Sequence, residues 1–388
     1  MEKWIKSISG VIPHTNKTVD IELEGRNLII TGANGSGKTS LLRAVYEKVD
    51  LLIVGKKIID LFNYKRLIGQ FQKEIKNIED GIMTNIPDYK NFISIYEDRK
   101  AIICFFEEKR LSEIAVATFA KGLSIEEEDA KKQNKYGNLG NNLEQHLVNL
   151  MNRQSLAITK DKNQELANKI ETWFSEFENN LKVLFEDDTL KLEFDSDSFK
   201  FSIRQDSKPS YTFQTLSAGY RAIFDIYAEL IMRTEYFKVL PKDLTGIVFI
   251  DEIDSHLHVS LQRLILPFFI NSFPKIQFIV TTHSPFVLMS TPDTVVFDLA
   301  KNEPITEDLS YYTYSSIMKG LWNVKPISVS LEREIMEIAQ IVNSDSKNYK
   351  RLAELVKKIK GREDGLDSES KVFFLRGFET LEEAGKDV

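Results

Sequence analysis

Cysteine is almost absent from the sequence, which has a single one, Cys104. It lies in the apolar run AIICFF, so it cannot form an intrachain disulfide, and we expect a buried side chain in a reducing compartment. A long hydrophobic run is also missing, because no segment approaches the roughly 20 apolar residues that cross a bilayer, and the N-terminus lacks the apolar core of a secretory signal. These absences favour a cytoplasmic protein with no membrane partner.

An excess of positive charge is missing as well. The net charge is −7 at pH 7, which argues against indiscriminate coating of nucleic acid but leaves room for a local basic groove. The chain contains 42% hydrophobic and 28% charged residues over 388 positions, a composition typical of a soluble globular protein. At roughly 100–200 residues per domain, we expect two or three lobes.

The most specific motif is a glycine-rich phosphate loop, GANGSGKT, which follows a predicted strand and precedes a helical pattern. Glycines let successive backbone N–H groups surround phosphate oxygens, and the helix N-terminus adds its dipole. We expect Lys38 to reach the β and γ phosphates and Thr39 to bind Mg²⁺. The predicted nucleotide-binding residues are Gly32, Asn34, Gly35, Ser36, Gly37, Lys38, Thr39 and Ser40.

Two further polar sites follow the apolar runs GIVFI and QFIVTT, which are typical of parallel strands buried on both faces. Asp251 and Glu252 end the first run, so Asp251 is predicted to hold Mg²⁺ and Glu252 to act as general base on the attacking water. His283 ends the second run, where its imidazole could sense the γ phosphate. Each of these residues alone could be an ordinary polar side chain at a strand end, but their order after a phosphate loop favours catalysis.

A second anion site is predicted at the start of a helix, in the segment LSAGYR. Ser217, Ala218 and Gly219 combine a hydroxyl, small residues and a helix N-terminus, which suit a phosphate. Because Lys38 already serves the phosphates within one subunit, this site is best used across a dimer. The alternative, which the sequence leaves open, is that Ser217 is an ordinary helix N-cap.

These four elements, in this order, resemble the ABC ATPases. The resemblance implies an α/β, ABC-type P-loop NTPase fold, ATP and Mg²⁺ as cofactors, ATP hydrolysis, and a homodimer or higher even oligomer formed head to tail through the ATP sites. The segment LSAGYR departs from the transporter-like LSGGQ at Ala218 and Tyr220. A second departure is that the glutamine that members of this family often place at a strand end in the insertion is not identifiable, and ATFAKG near Phe119 stands at about that position without it.

The segments DEIDSHLHVSLQ and THSPFVL narrow the resemblance. They are similar to a soluble branch that includes the overcoming-lysogenization-defect (OLD) proteins, recombination-repair ATPases and ATPase subunits of bacterial anti-phage systems such as Septu. In that branch the loop after the acidic pair, here Asp254 to His258, touches the opposing subunit. His256 and His258 could also suggest zinc, but no third ligand is evident.

The patterns divide the chain into four parts. Residues 1–50 form the first part of the ATPase lobe, 51–190 a mixed helical and strand insertion, 191–325 the rest of the lobe, and 326–388 a C-terminal helical segment. Within the insertion, KKIIDLFNYKRLIGQFQKEIKNI is predicted helical, and FISIYED, AIICFFE and IAVATFA are predicted strands. The segment LKLEFDSDSFKFSIRQ is predicted to be a hairpin.

Four functions follow from this organisation. The favoured one is an ATPase that regulates a separate effector, such as a nuclease, in a bacterial anti-phage complex. Fewer than about 70 residues follow Trp322, which we expect to be too few for the metal-binding Toprim domain that OLD-type nucleases carry after the ATPase. No histidine follows His283, which argues against an HNH nuclease or a histidine-dependent RNase in that region. The alternatives are a DNA-repair or chromosome-associated ATPase that binds DNA directly, a transporter subunit, and a nucleotide switch with little turnover.

Overall fold

The protein is described by a computed structural model that covers residues 3–61, 81–110, 113–132, 138–206, 208–325 and 327–386. The chain forms two compact units, Met1–Tyr312 and Thr313–Val388. The unit boundary therefore falls before the predicted start of the C-terminal segment at residue 326. None of the helices in the described ranges has the length and apolar character that a membrane span requires.

A six-stranded sheet forms the centre of the first unit. With strands and helices numbered in chain order, its members are β3 (Asn27–Thr31), β5 (Ala101–Phe106), β9 (Thr245–Ile250), β10 (Ile276–Thr281), β11 (Thr294–Asp298) and β12 (Glu303–Ile305). Their order is β12-β11-β3-β10-β9-β5, and all neighbours pair in parallel except β11 with β12. Residues Gly246–Ile250 of β9 and every residue of β10 are buried, as the continuous apolar runs GIVFI and QFIVTT predicted, and β3 is buried throughout as well.

The first unit also contains two three-stranded antiparallel sheets. The first has the order β2-β1-β4 and the second β6-β7-β8. Their bounds are β1 Ser7–Val11, β2 Thr18–Glu22, β4 Ile82–Asn85, β6 Lys191–Asp195, β7 Lys200–Gln205 and β8 Lys208–Tyr211. Strands β6 and β7 pair from Asp195 with Lys200 outward, so the predicted hairpin is confirmed.

Eight α-helices complete the described part of the first unit. They are α1 (Lys38–Leu61), α2 (Tyr89–Glu97), α3 (Leu123–Lys132), α4 (Leu143–Thr159), α5 (Gln164–Phe185), α6 (Ala218–Phe237), α7 (Val259–Ser272) and α8 (Pro285–Leu288). Helix α7 joins β9 to β10, so the predicted strand–helix–strand unit is confirmed. Helix α1 begins at Lys38, directly after the last glycine of the phosphate loop, again as predicted.

The second unit is helical, as the sequence predicted. It contains α9 (Tyr314–Trp322), α10 (Val329–Asn343), α11 (Tyr349–Ile359) and α12 (Ser368–Glu383). Leu352, Phe374 and their apolar neighbours form a core of its own. Helices α10, α11 and α12 each start at a polar side chain that accepts a backbone N–H, which fixes their N-terminal ends.

The predicted insertion, residues 51–190, needs correction in its first half. Strand β5, which is AIICFF, pairs with β9 in the central sheet, and β4 pairs with β1. FISIYED is wrong as a strand because it lies in α2, where the spacing of Phe92 and Ile93 with Tyr96 suits one helix face and Phe92 packs on Trp4 with ring centroids 4.7 Å apart.

Two other parts of that region have separate outcomes. IAVATFA is also wrong as a strand, since residues 114–120 form neither helix nor strand. The helix predicted from KKIIDLFNYKRLIGQFQKEIKNI is present as far as Leu61, and its continuation over 62–80 lies outside the described residues. Cys104 is buried in β5, and burial raises the pKa of its thiol to about 11, as expected for an inert side chain.

The pairing of β5 with β9 depends on one glycine. Gly246 lies opposite Ile102, and its φ of +137° falls in a region that side chains rarely adopt. A Cβ atom at this position would lie 2.1 Å from the carbonyl oxygen of Ile102. The strands can therefore approach this closely only because residue 246 has no side chain.

Candidate functional site

The phosphate loop turns between β3 and α1, with Lys38 at its end. The Nζ atom of Lys38 donates to the carbonyl oxygens of Gly32 and Ala33, at 3.1 and 3.2 Å. Burial lowers the pKa of this ammonium group, while the nearby carboxylates of Glu252 and Asp251 oppose that shift. Two carbonyl oxygens of the loop itself thus hold the side chain of Lys38 in place, and the opposite face of the loop stays open.

Asp251 lies at the end of β9, next to Thr39. Its Oδ1 atom accepts hydrogen bonds from the hydroxyls of Thr281, at 2.6 Å, and Thr39, at 3.2 Å. Carboxylate and hydroxyl oxygens are the hard donors that Mg²⁺ prefers. The contact between Thr39, at the start of α1, and Asp251, directly after β9, therefore fits the predicted metal site.

Glu252 and His283 share an open cavity with Lys38. Its volume is about 740 Å³, within the range of ordinary small-molecule sites. The described residues that line it are His14, Thr15, Asn34, Gly35, Gly37, Lys38, Thr39, Ser40, Glu108, Glu252 and His283. The structure thus brings most of the predicted phosphate-loop residues together with both residues predicted to be catalytic.

The electrostatics of this cavity shift the pKa values of Glu252 and His283 in opposite directions. Burial, with the neighbouring carboxylates of Glu108, Asp254 and Asp251, raises the pKa of Glu252. Burial and the positive charge of Lys38 lower the pKa of His283. The raised pKa makes Glu252 a stronger proton acceptor, and the lowered pKa favours a neutral imidazole near pH 7.

Three residues of the cavity were not predicted. His14 and Thr15 come from the loop between β1 and β2, which carries no recognisable motif. Glu108 follows β5, and its signal was readable, because polar residues directly after a parallel strand gather at the same sheet edge as Asp251 and His283. Among the described residues, the cavity lining includes Glu108 and does not include Phe119, where ATFAKG stands at about the position of the family's glutamine.

The segment LSAGYR lies at the start of α6, with Ser217 in the N-cap position. Ser217 makes no side-chain capping bond, and Ser217 and Ala218 are exposed, so the simple N-cap alternative finds no support in its hydrogen bonding. Among the residues that the structure describes, the lining of the Lys38 cavity does not include Ser217, Ala218 or Gly219. One chain therefore presents the two predicted phosphate sites separately.

Gly219 ties this helix start to the loop after the acidic pair. A Cβ atom on Gly219 would lie 3.1 Å from the carbonyl oxygen of His256, so the two segments are in close contact. Tyr220, one of the departures from LSGGQ, stacks on Phe185 of α5 with ring centroids 4.2 Å apart. Thr282 also donates a short hydrogen bond to Asp254. The loop thus contacts both α6 and the segment that bears His283.

A phosphate loop, two carboxylates after a parallel strand and a histidine after the next strand give the chain the fold and nucleotide site of an ABC-type P-loop NTPase. A family model described as "AAA domain, putative AbiEii toxin, Type IV TA system" matches residues 125–290. Within this class, the chain is similar to the Septu protein PtuA of Bacillus mycoides, with 27% identity over 323 residues, covering 78% of this chain and 40% of that protein.

Other relatives match shorter parts. The Retron Ec83 probable ATPase of Escherichia coli is 49% identical over 75 residues, 19% of this chain and 14% of that protein. The Septu protein PtuA of Bacillus thuringiensis is 33% identical over 105 residues, 26% of each chain. This chain therefore spans at most 40% of the length of these relatives. Among solved structures, an Smc head bound to the C-winged helix domain of ScpA matches over 78% of this chain and 96% of that one, at 14% identity and a TM-score of 0.38.

Proposed function

We propose that this protein is a cytoplasmic ATP-hydrolysing subunit that dimerises head to tail and regulates a separate effector, such as a nuclease, in a bacterial anti-phage complex. The observation that carries the proposal is the cavity in which Lys38, Glu252 and His283 meet. Lys38 offers a positive charge to phosphate, Glu252 a carboxylate with a raised pKa, and His283 an imidazole whose lowered pKa favours the neutral form. Groups of these kinds suit the transfer of a phosphoryl group to water.

Each residue has a proposed role. Lys38 and the backbone N–H groups of the loop bind and orient the β and γ phosphates. Glu252 accepts a proton from the attacking water, and His283 contacts the γ phosphate. Thr39 and Asp251 would hold Mg²⁺, which neutralises developing charge on the phosphates when it is bound.

The head-to-tail arrangement follows from the exposed signature segment. Ser217 and Ala218 are open to solvent at a helix N-terminus but lie outside the Lys38 cavity of their own chain. A second copy related by a two-fold axis could place this N-terminus against the phosphates, and the same contact would then form twice. ATP would in this way join two protomers.

The biological setting rests on the relatives. Similarity to Septu PtuA proteins and to retron ATPases supports a role in defence against phage, as the resemblance of DEIDSHLHVSLQ and THSPFVL implies. The effector is proposed to lie on another chain. Co-purification with products of neighbouring genes tests this point, and failure to recover a stable complex with any of them would contradict it.

The ATPase proposal is tested by comparing wild type with Glu252→Gln. We expect wild type to hydrolyse ATP and the variant to lose about 10²–10⁴-fold in kcat while retaining ATP and forming a dimer in ATP and Mg²⁺, measured by light scattering. Glu193→Gln, an exposed position on β6 paired with Arg204, is the control. A Glu252→Gln protein that stays monomeric in saturating ATP and Mg²⁺ would contradict the dimer. Hydrolysis by the lone protein that DNA stimulates would favour the DNA-repair alternative.

A further inference from the structure

Arg110 contacts the backbone of the turn that carries the acidic pair. Its Nη2 atom donates to the carbonyl oxygens of Glu252, at 2.9 Å, and Asp251, at 3.2 Å, and its Nη1 atom lies 3.5 Å from the carbonyl oxygen of Ile253. Its Nε atom is excluded from solvent. One guanidinium group thus meets three consecutive carbonyls, an arrangement that uses its planar fork of donors.

The turn needs such support because Glu252 has an unusual backbone. Its φ is +42°, in the left-handed region that residues with a Cβ atom rarely adopt. On the amide side, Glu252 N donates to the hydroxyl of Thr281 at 2.7 Å. On the carbonyl side the donor is Arg110. The two contacts hold the strained residue from both ends, and such strain persists only where surrounding groups fix it.

We propose that Arg110 is a positioning residue for ATP hydrolysis, which holds Glu252 in its left-handed conformation and so directs the carboxylate towards the attacking water. This inference rests on the proposed role of Glu252 as general base. Arg110 acts through the backbone and is not among the described residues that line the nucleotide cavity. Its loss should therefore affect the chemical step more than the binding of ATP.

The segment that contains Arg110 makes a further contact with the turn that carries the acidic pair. It follows β5, whose last carbonyl, that of Phe106, accepts the amide hydrogen of Asp251 at 2.9 Å. The same short segment contains Glu108, which lines the cavity. The segment at the end of β5 thus contacts the backbone of the acidic turn through Phe106 and Arg110 and lines the nucleotide cavity through Glu108.

The test compares Arg110→Lys and Arg110→Met with wild type in the full-length protein. Displacing a catalytic group by about 1 Å can cost about 100-fold in rate, so we expect Arg110→Met to lower kcat by about 10–100-fold while the KM for ATP changes by less than about threefold. Arg110→Lys keeps the charge but offers a single ammonium group to the carbonyls, so its kcat should lie between those of wild type and Arg110→Met.

Two controls separate positioning from general damage. Arg233→Lys alters another buried arginine, whose Nη2 atom lies 2.6 Å from Glu229 on α6, and should leave kcat near the wild-type value. If Arg110 acts through Glu252, then Arg110→Lys combined with Glu252→Gln should be no slower than Glu252→Gln alone. Amide exchange at residues 252–255 should be faster in Arg110→Lys.

The outcomes distinguish the inference from the function on which it rests. A wild type without ATP turnover overturns the proposed function and this inference with it. A wild type that hydrolyses ATP, together with an Arg110→Lys variant of unchanged kcat, overturns the inference alone. The inference is also overturned if Arg233→Lys lowers kcat as much as Arg110→Lys does. It is overturned as well if the kcat losses of Arg110→Lys and Glu252→Gln add fully in the double variant. If Arg110→Met does not fold, Arg110→Lys and the exchange measurement decide.

Discussion

The Nε2 atom of His283 lies 3.7 Å from the Oε1 atom of Glu252. The two side chains come from the ends of neighbouring parallel strands, and both face the cavity that contains Lys38. At this separation they are neither a tight ion pair nor independent groups. A water molecule or a phosphate oxygen can contact both of them, which makes the gap between them the expected place of reaction.

The first prediction concerns ATP binding. Lys38→Ala should weaken ATP binding by about 10–100-fold, since charged hydrogen bonds to phosphate contribute about 1.5–3 kcal/mol. Isothermal titration calorimetry measures the Kd, with Lys200→Ala on the exposed end of β7 as the control. Unchanged ATP affinity in Lys38→Ala would place the nucleotide elsewhere.

The second prediction concerns the composite site. Ser217→Arg should abolish hydrolysis but leave ATP binding to the monomer unchanged, because its defect would lie on the partner's phosphates. Mixing Ser217→Arg with Lys38→Ala, each inactive alone, should restore partial activity, since a mixed head-to-tail dimer contains one complete site. No recovery on mixing, under conditions where the two proteins associate, would count against a shared site.

The third prediction concerns pH. A general base must be ionised, so kcat should fall as the pH drops through the pKa of Glu252. Glu108 is one of the carboxylates that raise this pKa. Glu108→Gln removes that negative charge, lowers the pKa of Glu252 and should move the acidic limb of the kcat profile to lower pH. Glu107→Gln, whose exposed carboxylate pairs with Arg43, should leave the limb in place.

The fourth prediction concerns stability. His146 is buried, with Nδ1 3.0 Å from Glu126 and Nε2 3.4 Å from Glu235. Burial opposes its protonation, but the hydrogen bond to Glu126 and the nearby negative charge of Glu235 outweigh this effect and raise its pKa from 6.5 to about 9. Since the pKa is higher in the folded state, this contribution is fully present below pH 6.5 and is lost as the pH rises through 9.

The matching experiment is urea unfolding of wild type and His146→Gln at both ends of that pH window. The variant should be less stable at the acidic end by on the order of 2 kcal/mol, and the difference should shrink towards the alkaline end. A difference that stays constant with pH would show that His146 contributes packing and no charge.

The sequence predicted those parts of the site whose residues lie next to one another in a short motif or at the end of an apolar run. Lys38 and Thr39 lie in one short loop, and Asp251, Glu252 and His283 each end an apolar run, so local pattern was sufficient. The fold of the central strands followed from the same runs. The dimer and the roles of these residues stay predictions.

The parts that the sequence did not predict depend on distant pairing. AIICFF was correctly predicted as a strand, but its partner β9 begins at Thr245, and nothing local distinguishes a strand of the central sheet from one of an insertion. FISIYED has a spacing compatible with both periods, and the packing of Phe92 on Trp4 decided for helix. Arg110 binds backbone carbonyls, which no side-chain pattern reveals.

The position of the edge strand β5 in the central sheet depends on the glycine at position 246 of β9. Strand β5 lies beside β9 only where Ile102 can approach the bare backbone of Gly246, and the chain then continues straight into Glu108 and Arg110. Even a methyl group there would push the whole strand outward. A substitution at one interior position, remote along the strand from any predicted nucleotide contact, would thus abolish the proposed ATPase activity while every residue of the recognised motifs stays intact.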